Sequence, residues 1–167
     1  MKYIIGIGTN IGDRKQNISE AVEAFDLVPK TKVLRHSSLY ETEPVGYAAQ
    51  DSFYNACIEI ESDLAPGEML GVCLGIEAGF GRVRTIKNGP RILDLDVILA
   101  ENETISTPNL TVPHPRFHER RFVLIPLLEL FPDGTAYGHN LSKSLLKIKG
   151  QGIKTVGAIH ESPAGQP

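Results

Sequence analysis

Arg82-Val83-Arg84-Thr85-Ile86-Lys87-Asn88-Gly89-Pro90-Arg91-Ile92-Leu93-Asp94-Leu95-Asp96-Val97-Ile98-Leu99 is a cationic stretch that runs through a Gly-Pro turn into a strand. Side chains alternate faces in an extended chain, so Asp94 and Asp96 project together while Leu93, Leu95, Val97 and Leu99 take the opposite, buried face. An isolated Asp-x-Asp more often decorates the wet side of a strand, with any neighbouring basic residues in a solvated loop. Here aspartate, a poor strand former, occurs twice among strongly apolar positions directly after a Gly-Pro-Arg turn, and this needs a compensating reason. Two carboxylates on one face make a hard-cation site, and oxygen ligands without sulfur or paired histidines favour Mg²⁺ bound partly through substrate phosphates. Arg82, Arg84, Lys87 and Arg91 are placed to hold those phosphate oxygens.

Working outward, residues 3–8 form a short apolar run ending in glycines. Asp13 then caps a helix that carries Ile18, Ala21, Val22 and Phe25 at helical spacing. Gly6, Gly8 and Gly12 resemble a dinucleotide fingerprint, but the spacing is one residue too long, so glycine is read as letting backbone pass close to a strand or ligand. Val33 to Tyr40 reads as a second strand and residues 41–52 as a long loop with Pro44 and Gly46. Phe53 to Glu61 is a third strand with Tyr54, Ala56, Ile58 and Ile60 on its apolar face, which puts Phe53 and Asn55 together on the other. An aromatic beside an amide suits a flat heterocycle.

Pro66 opens a second helix reaching about Phe80. Gly67, Gly71, Gly75 and Gly79 recur along it, each costing roughly 1 kcal/mol against alanine in a helix interior. Either that ridge packs very close to something, or the helix is held by tertiary contacts and alanine there would stabilise it. Ile92 to Leu99 is the fourth strand, residues 101–116 a loop with three prolines, and Arg120 to Phe131 a third helix interrupted by Pro126. The order β-α-β-β-α-β plus a C-terminal helix describes an α+β, ferredoxin-like fold with a mainly antiparallel four-stranded sheet.

At 167 residues the chain is expected to form a single domain over 1–160, with 161–167 a flexible polar tail. A formal net charge of −3 argues against nonspecific nucleic-acid binding, although residues 82–121 hold seven Lys or Arg and two His against five acids. A compact anionic ligand fits that contrast. Cys57 and Cys73 sit in apolar runs, as buried reduced thiols of a cytoplasmic protein do. No run approaches membrane-spanning length, so no membrane partner is expected.

Gly8-Thr9-Asn10-Ile11-Gly12-Asp13-Arg14, the Tyr40 to Asn55 block, Gly81-Arg82-Val83-Arg84, Gly89-Pro90-Arg91 through Asp96, and Leu110-Thr-Val-Pro-His-Pro115 together resemble the 6-hydroxymethyl-7,8-dihydropterin pyrophosphokinases of folate biosynthesis. The resemblance runs from residue 3 to about 131, and the joined Gly-Pro-Arg and Val-Pro-His motifs are its most specific part. It implies transfer of an intact pyrophosphoryl group from ATP to the pterin hydroxymethyl oxygen, releasing AMP, with two Mg²⁺ ions. By resemblance Asp94 and Asp96 hold both metals and, with Arg82 and Arg91, form the catalytic set. Arg82, Arg84, Arg91, His114 and Arg120 contact the triphosphate, while Glu77, Val97 and Thr111 lie toward the nucleotide. Gly8, Thr42, Pro44, Val45, Gly46 and Asn55 bind the pterin, whose ring Phe53 and Phe122 sandwich. ATP and the pterin are the expected partners, with room for association with other folate enzymes. Loops 41–52 and 83–90 are the expected lids. Asn88, Leu74 and Phe53 depart from residues common in the family, an aromatic, a polar group and a tyrosine respectively. The competing reading is a noncatalytic ferredoxin-like module that senses a nucleotide or metabolite, against which the Asp-x-Asp pair stands. Sheet-face RNA binding is disfavoured by the acidic balance and the missing aromatic-rich signature.

Overall fold

The computed structural model describes residues 1–43, 50–81 and 91–159. In chain order they form β1 (Lys2–Thr9), α1 (Arg14–Asp26), β2 (Thr31–His36), β3 (Leu39–Thr42), β4 (Phe53–Ser62), α2 (Pro66–Gly79) and β5 (Asp94–Ala100). Two short hairpin strands, β6 (Ile105–Ser106) and β7 (Thr111–Val112), lead to α3 (Arg121–Leu130). The chain ends with β8 (Thr135–Ala136), β9 (His139–Asn140), α4 (Leu141–Leu146) and β10 (Ile153–Gly157). The main sheet has the order β10-β3-β4-β1-β5, with β2 also on β4, and every pairing is antiparallel.

The α+β class and the antiparallel sheet agree with the sequence reading, but the sheet has six strands, not four. One extra strand arises because the segment read as Val33–Tyr40 bends at Ser37-Ser38. Buried Ser37 binds Cys57 twice, its N–H donating to the Cys57 carbonyl at 2.9 Å and its Oγ accepting the Cys57 N–H at 3.0 Å. Glu129 of α3 takes the Ser38 N–H and Oγ–H and the Tyr40 hydroxyl, at 2.7 to 3.0 Å. Side-chain acceptors thus replace ladder partners at the bend, and β4, ten residues long, hosts β2 and β3 in succession. The other extra strand, β10, is a largely exposed edge whose short pattern carries little apolar signal.

The sheet separates two cores. Ile5, Ile7, Ile58 and Ile60 pack with Ile18 and Phe25 of α1 and Met69 and Cys73 of α2. On the other face Ile4, Cys57, Ile98 and Leu99 meet Val123, Leu124 and Leu127 of α3 and Leu141 of α4. Leu93, Leu95 and Val97 lie on the α1/α2 side as expected, but Leu99 does not. The β1–β5 register shifts between Ile4 and Ile5, so Ile98 is an extra residue and the alternation inverts beyond it. Asp13 caps α1 as expected, its carboxylate accepting the Gln16 N–H at 3.0 Å. Pro126 does not interrupt α3, which runs through it with Pro126 itself buried. The region read as a loop over 101–116 contains the β6–β7 hairpin.

The glycine ridge of α2 faces outward: a Cβ at Gly67, Gly71, Gly75 or Gly79 meets nothing within 4 Å. The close-packing explanation is therefore wrong, and the helix is held from its other face, where Met69, Cys73 and Glu77 are buried. Gly71→Ala and Gly75→Ala should each stabilise the protein by about 0.5–1 kcal/mol, read as a higher urea midpoint at unchanged slope. A lower midpoint for both would contradict the open face.

Glu129 carries a pH dependence. Burial pulls its carboxyl upward, but the hydrogen bonds from Ser38 and Tyr40, with His36 nearby, outweigh that and leave it below the usual range. A depressed carboxylate contributes stability above its unfolded-state pKa and loses it as pH falls through the folded value. The acid limb of stability, below about pH 4.5, should therefore be shallower in Glu129→Gln than in the parent. Parallel acid limbs in thermal melts would remove Glu129 as a cause.

Candidate active site

Counting by two along three neighbouring strands builds one patch. Gly8 of β1 lies opposite Asn55 of β4 on one side and Asp94 of β5 on the other; Gly6 lies likewise between Cys57 and Asp96. Glycine at both central positions leaves backbone as the floor. A Cβ at Gly8 would stand 3.2 Å from Asn55 Oδ1, and one at Gly6 3.2 Å from Ile98 Cδ1. The patch opens into a cavity of about 560 Å³, bounded on the far side by His114, Arg120 and Phe122.

The carboxylate wall is Asp94 and Asp96, both partly exposed, at the mouth of β5. Asp94 Oδ2 is 4.0 Å from an Arg91 guanidinium nitrogen. Arg91 is fixed by its backbone: its N–H donates to buried Asn10 Oδ1 at 2.8 Å, and its carbonyl accepts the Asn10 N–H at 3.0 Å. Asn10 Nδ2 in turn donates to Gln50 Oε1 and the Asp51 carbonyl, each at 2.9 Å. Arg14 adds a second tie between α1 and the start of β4, bonding the Ser52 carbonyl at 2.8 Å with its guanidinium 3.9 Å from the Tyr54 ring centre.

The opposite wall is polar and aromatic. Asn55 Nδ2 donates to Thr42 Oγ1 at 2.7 Å, both residues buried, so its Oδ1 stays on the Gly8 side. Phe53 pairs across from Thr42, and Phe122 enters from the first turn of α3 with Arg120 5.4 Å from its ring centre. His114 hangs from β5 through its N–H to the Ile98 carbonyl at 2.8 Å. Burial, then the Arg120 charge, hold its pKa below the usual histidine value, with Asp94 opposing them. Its Nδ1 accepts the Arg116 N–H at 3.1 Å, which leaves neutral His114 a donor at Nε2. Buried Cys57, whose thiol pKa burial pushes well up, and Cys73, raised by burial to about 12, are inert thiols.

Of the residues singled out from sequence, Gly8, Thr42, Phe53, Asn55, Arg91, Asp94, Asp96, His114, Arg120 and Phe122 line this one cavity. Glu77 is buried in α2, Val97 lies in the α1/α2 core and Thr111 is exposed on β7; none of the three lines it. Arg82, Arg84, Pro44, Val45 and Gly46 lie outside the described residues, as do residues 44–49 of the first expected lid and all of the second. Gly6, read from sequence as a close approach of backbone to a strand or ligand, lines the cavity too, as do Cys57 and Ile98, each one step of two residues beyond Asn55 and Asp96. Glu43, Arg116, Glu119 and Gln151 also line the cavity, from loops without a periodic signal. Among the described residues no cluster of three or more His, Cys, Asp or Glu could hold a metal. The donors present are a pair of carboxylates, which suits a Mg²⁺ that completes its shell with phosphate and water.

A carboxylate pair and cationic groups facing a wall of amide and aromatic side chains define the class: an enzyme that moves a phosphate-bearing group onto a flat acceptor. The sequence profile of the family "7,8-dihydro-6-hydroxymethylpterin-pyrophosphokinase (HPPK)" matches residues 4–132, and the chain belongs to that family. A 2-amino-4-hydroxy-6-hydroxymethyldihydropteridine pyrophosphokinase of Methylorubrum extorquens is 41% identical over 152 residues, 91% of this chain and 96% of that one. One from Bacillus subtilis is 45% identical over 126 residues, 75% of each chain. The fold is shared with the HPPK-DHPS of Plasmodium falciparum, at a TM-score of 0.62 and 15% identity. That alignment covers 87% of this chain and 43% of the longer one.

Proposed function

We propose that this enzyme transfers the pyrophosphoryl group of ATP to the hydroxymethyl oxygen of 6-hydroxymethyl-7,8-dihydropterin, a step of folate biosynthesis that releases AMP. Supporting it above all is the single cavity in which Asp94 and Asp96 face Phe53, Asn55 and Phe122 across the Gly6–Gly8 floor. Phe53 and Phe122 stack on the pterin ring, and Asn55, held by Thr42, offers its Oδ1 to a ring N–H. Arg91, Arg120 and neutral His114 bind the phosphate chain, with Arg82 and Arg84 as further contacts. Asp94 and Asp96 would hold two Mg²⁺ ions, which would supply positive charge against the phosphate oxygens. Holding the hydroxyl in line with the β-phosphorus is the task of the two aromatic rings and the arginines, and positioning with fixed charge supplies most of the rate. No strong general base stands at the described site.

The wider proposal is that residues 1–160 act as one domain with a ferredoxin-like β-α-β-β-α-β core, in which β2 and β3 count as one bent strand. Among the described residues no helix is long and apolar enough to cross a membrane, in keeping with a cytoplasmic site of action. Association with other folate enzymes is supported by a folic acid synthesis relative whose chain extends far beyond the matching stretch. "Folic acid synthesis protein fol1" of Schizosaccharomyces pombe is 41% identical over 152 residues, which are 21% of its length.

Incubation with MgATP and the pterin, separating AMP from ADP and weighing the pterin product, tests the reading. AMP with pterin diphosphate is expected. Nucleotide binding with neither product would favour a noncatalytic sensor, and ADP alone would refute pyrophosphoryl transfer.

A further inference from the structure

Gln151 lies 19 positions beyond the last residue matched by the family profile, between α4 and the edge strand β10, yet it lines the cavity. Both ends of its carboxamide bond to backbone. Oε1 accepts the Arg121 N–H at 2.9 Å, and Nε2 donates to the Glu119 carbonyl at 3.0 Å. The two bonds grip the chain on either side of Arg120.

Arg120 is the N-cap of α3, with extended φ −117 and ψ 109, and its own side chain makes no capping bond. The first turn of a helix leaves backbone N–H groups without partners, and an outside acceptor satisfies one of them here. Arg120 instead turns its guanidinium toward the cavity, 5.4 Å from the Phe122 ring centre. Arginine has no acceptor with which to cap a helix, so the N–H of Arg121 is met by Gln151 while the Arg120 guanidinium, a donor, suits an anionic ligand.

We propose that Gln151 is a positioning residue of the site: by clamping Glu119 and Arg121 it sets where the Arg120 guanidinium and Phe122 ring meet the phosphate-bearing substrate and the pterin. This rests on the function proposed above. β10 then has a task besides closing the sheet edge. Its pairing with β3, Ile153 opposite Thr42, anchors the Gln151 segment to the strand carrying the pterin-side hydroxyl. The aromatic wall and the polar wall are tied through one short stretch of chain.

Gln151→Met keeps the length and removes both bonds, while Gln151→Glu keeps the acceptor for Arg121 and loses the donor to Glu119. Steady-state kinetics with MgATP and the pterin, each variant assayed well below its own melting midpoint, separates positioning from stability. The expected result is a drop of about tenfold in kcat/KM in Gln151→Met, with a raised pterin KM and an intermediate loss in Gln151→Glu. Parental kcat/KM in Gln151→Met overturns the proposal whatever happens to its melting midpoint, because a merely structural clamp moves only the latter. The parent protein is the control on the underlying reading. If it makes no pterin diphosphate, the proposed function fails and the Gln151 role falls with it; if it turns over and Gln151→Met matches it, only the Gln151 role fails.

Discussion

Asp96→Asn lowers kcat by at least about a thousandfold and leaves the fold intact, with Asp94→Asn close behind. The size follows from what the carboxylates do. In the proposed mechanism these two strand-borne carboxylates hold the cations that offset phosphate charge, so losing one leaves part of that charge uncompensated where it grows during transfer. Stability has less reason to change, since both side chains are partly exposed and the ion pair of Asp94 with Arg91, at 4.0 Å, is a weak one. Melting curves without metal should therefore stay close to the parent's in the asparagine variants. Turnover within tenfold of the parent would remove the carboxylate pair from the mechanism.

Asn10→Ala carries the second large effect, on stability and rate together. Asn10 is 3% exposed and its side chain makes three hydrogen bonds, to the Arg91 N–H, Gln50 Oε1 and the Asp51 carbonyl. Truncation removes all three bonds in a partly buried setting, at about 2 kcal/mol, measurable by urea unfolding. The same bonds hold Arg91, three residues before the carboxylate strand, against the residues before β4, so kcat/KM should fall about a hundredfold as Arg91 loses its register with Phe53 and Asn55. Asn10→Asp keeps the acceptor for Arg91 and loses both donors, and should lie between. A destabilised Asn10→Ala enzyme with parental kcat/KM would make Asn10 structural only.

Much of this was legible because periodicity and chemistry coincide on the strands. Asp94 and Asp96, Phe53 and Asn55, and Gly8 were readable as face-sharing sets, and three adjacent strands bring those sets together. What failed did so where a local rule met a long-range partner. The bend at Ser37-Ser38 depends on Glu129, 91 positions away, and the inversion at Leu99 on a register shift opposite Ile4 and Ile5. Pro126 forfeits one helical hydrogen bond yet stays in α3 because that helix is buried against the sheet. The α2 glycines gave a true anomaly and two explanations, and only the open space beside them decides between the two. Gln151 carries no periodic signal; its role comes from two bonds to a turn 30 and 32 positions away.

The backbone floor at Gly6 and Gly8 bears on how inhibitor resistance would arise. Most binding pockets escape a drug by trading one side chain for another, but here the surface beneath the ligand has no side chain to trade. Any replacement at Gly8 adds a Cβ 3.2 Å from Asn55 Oδ1, crowding the wall the natural substrate is proposed to use. A compound that takes its affinity from contact with this stretch of main chain would confine escape to changes that also handicap the enzyme.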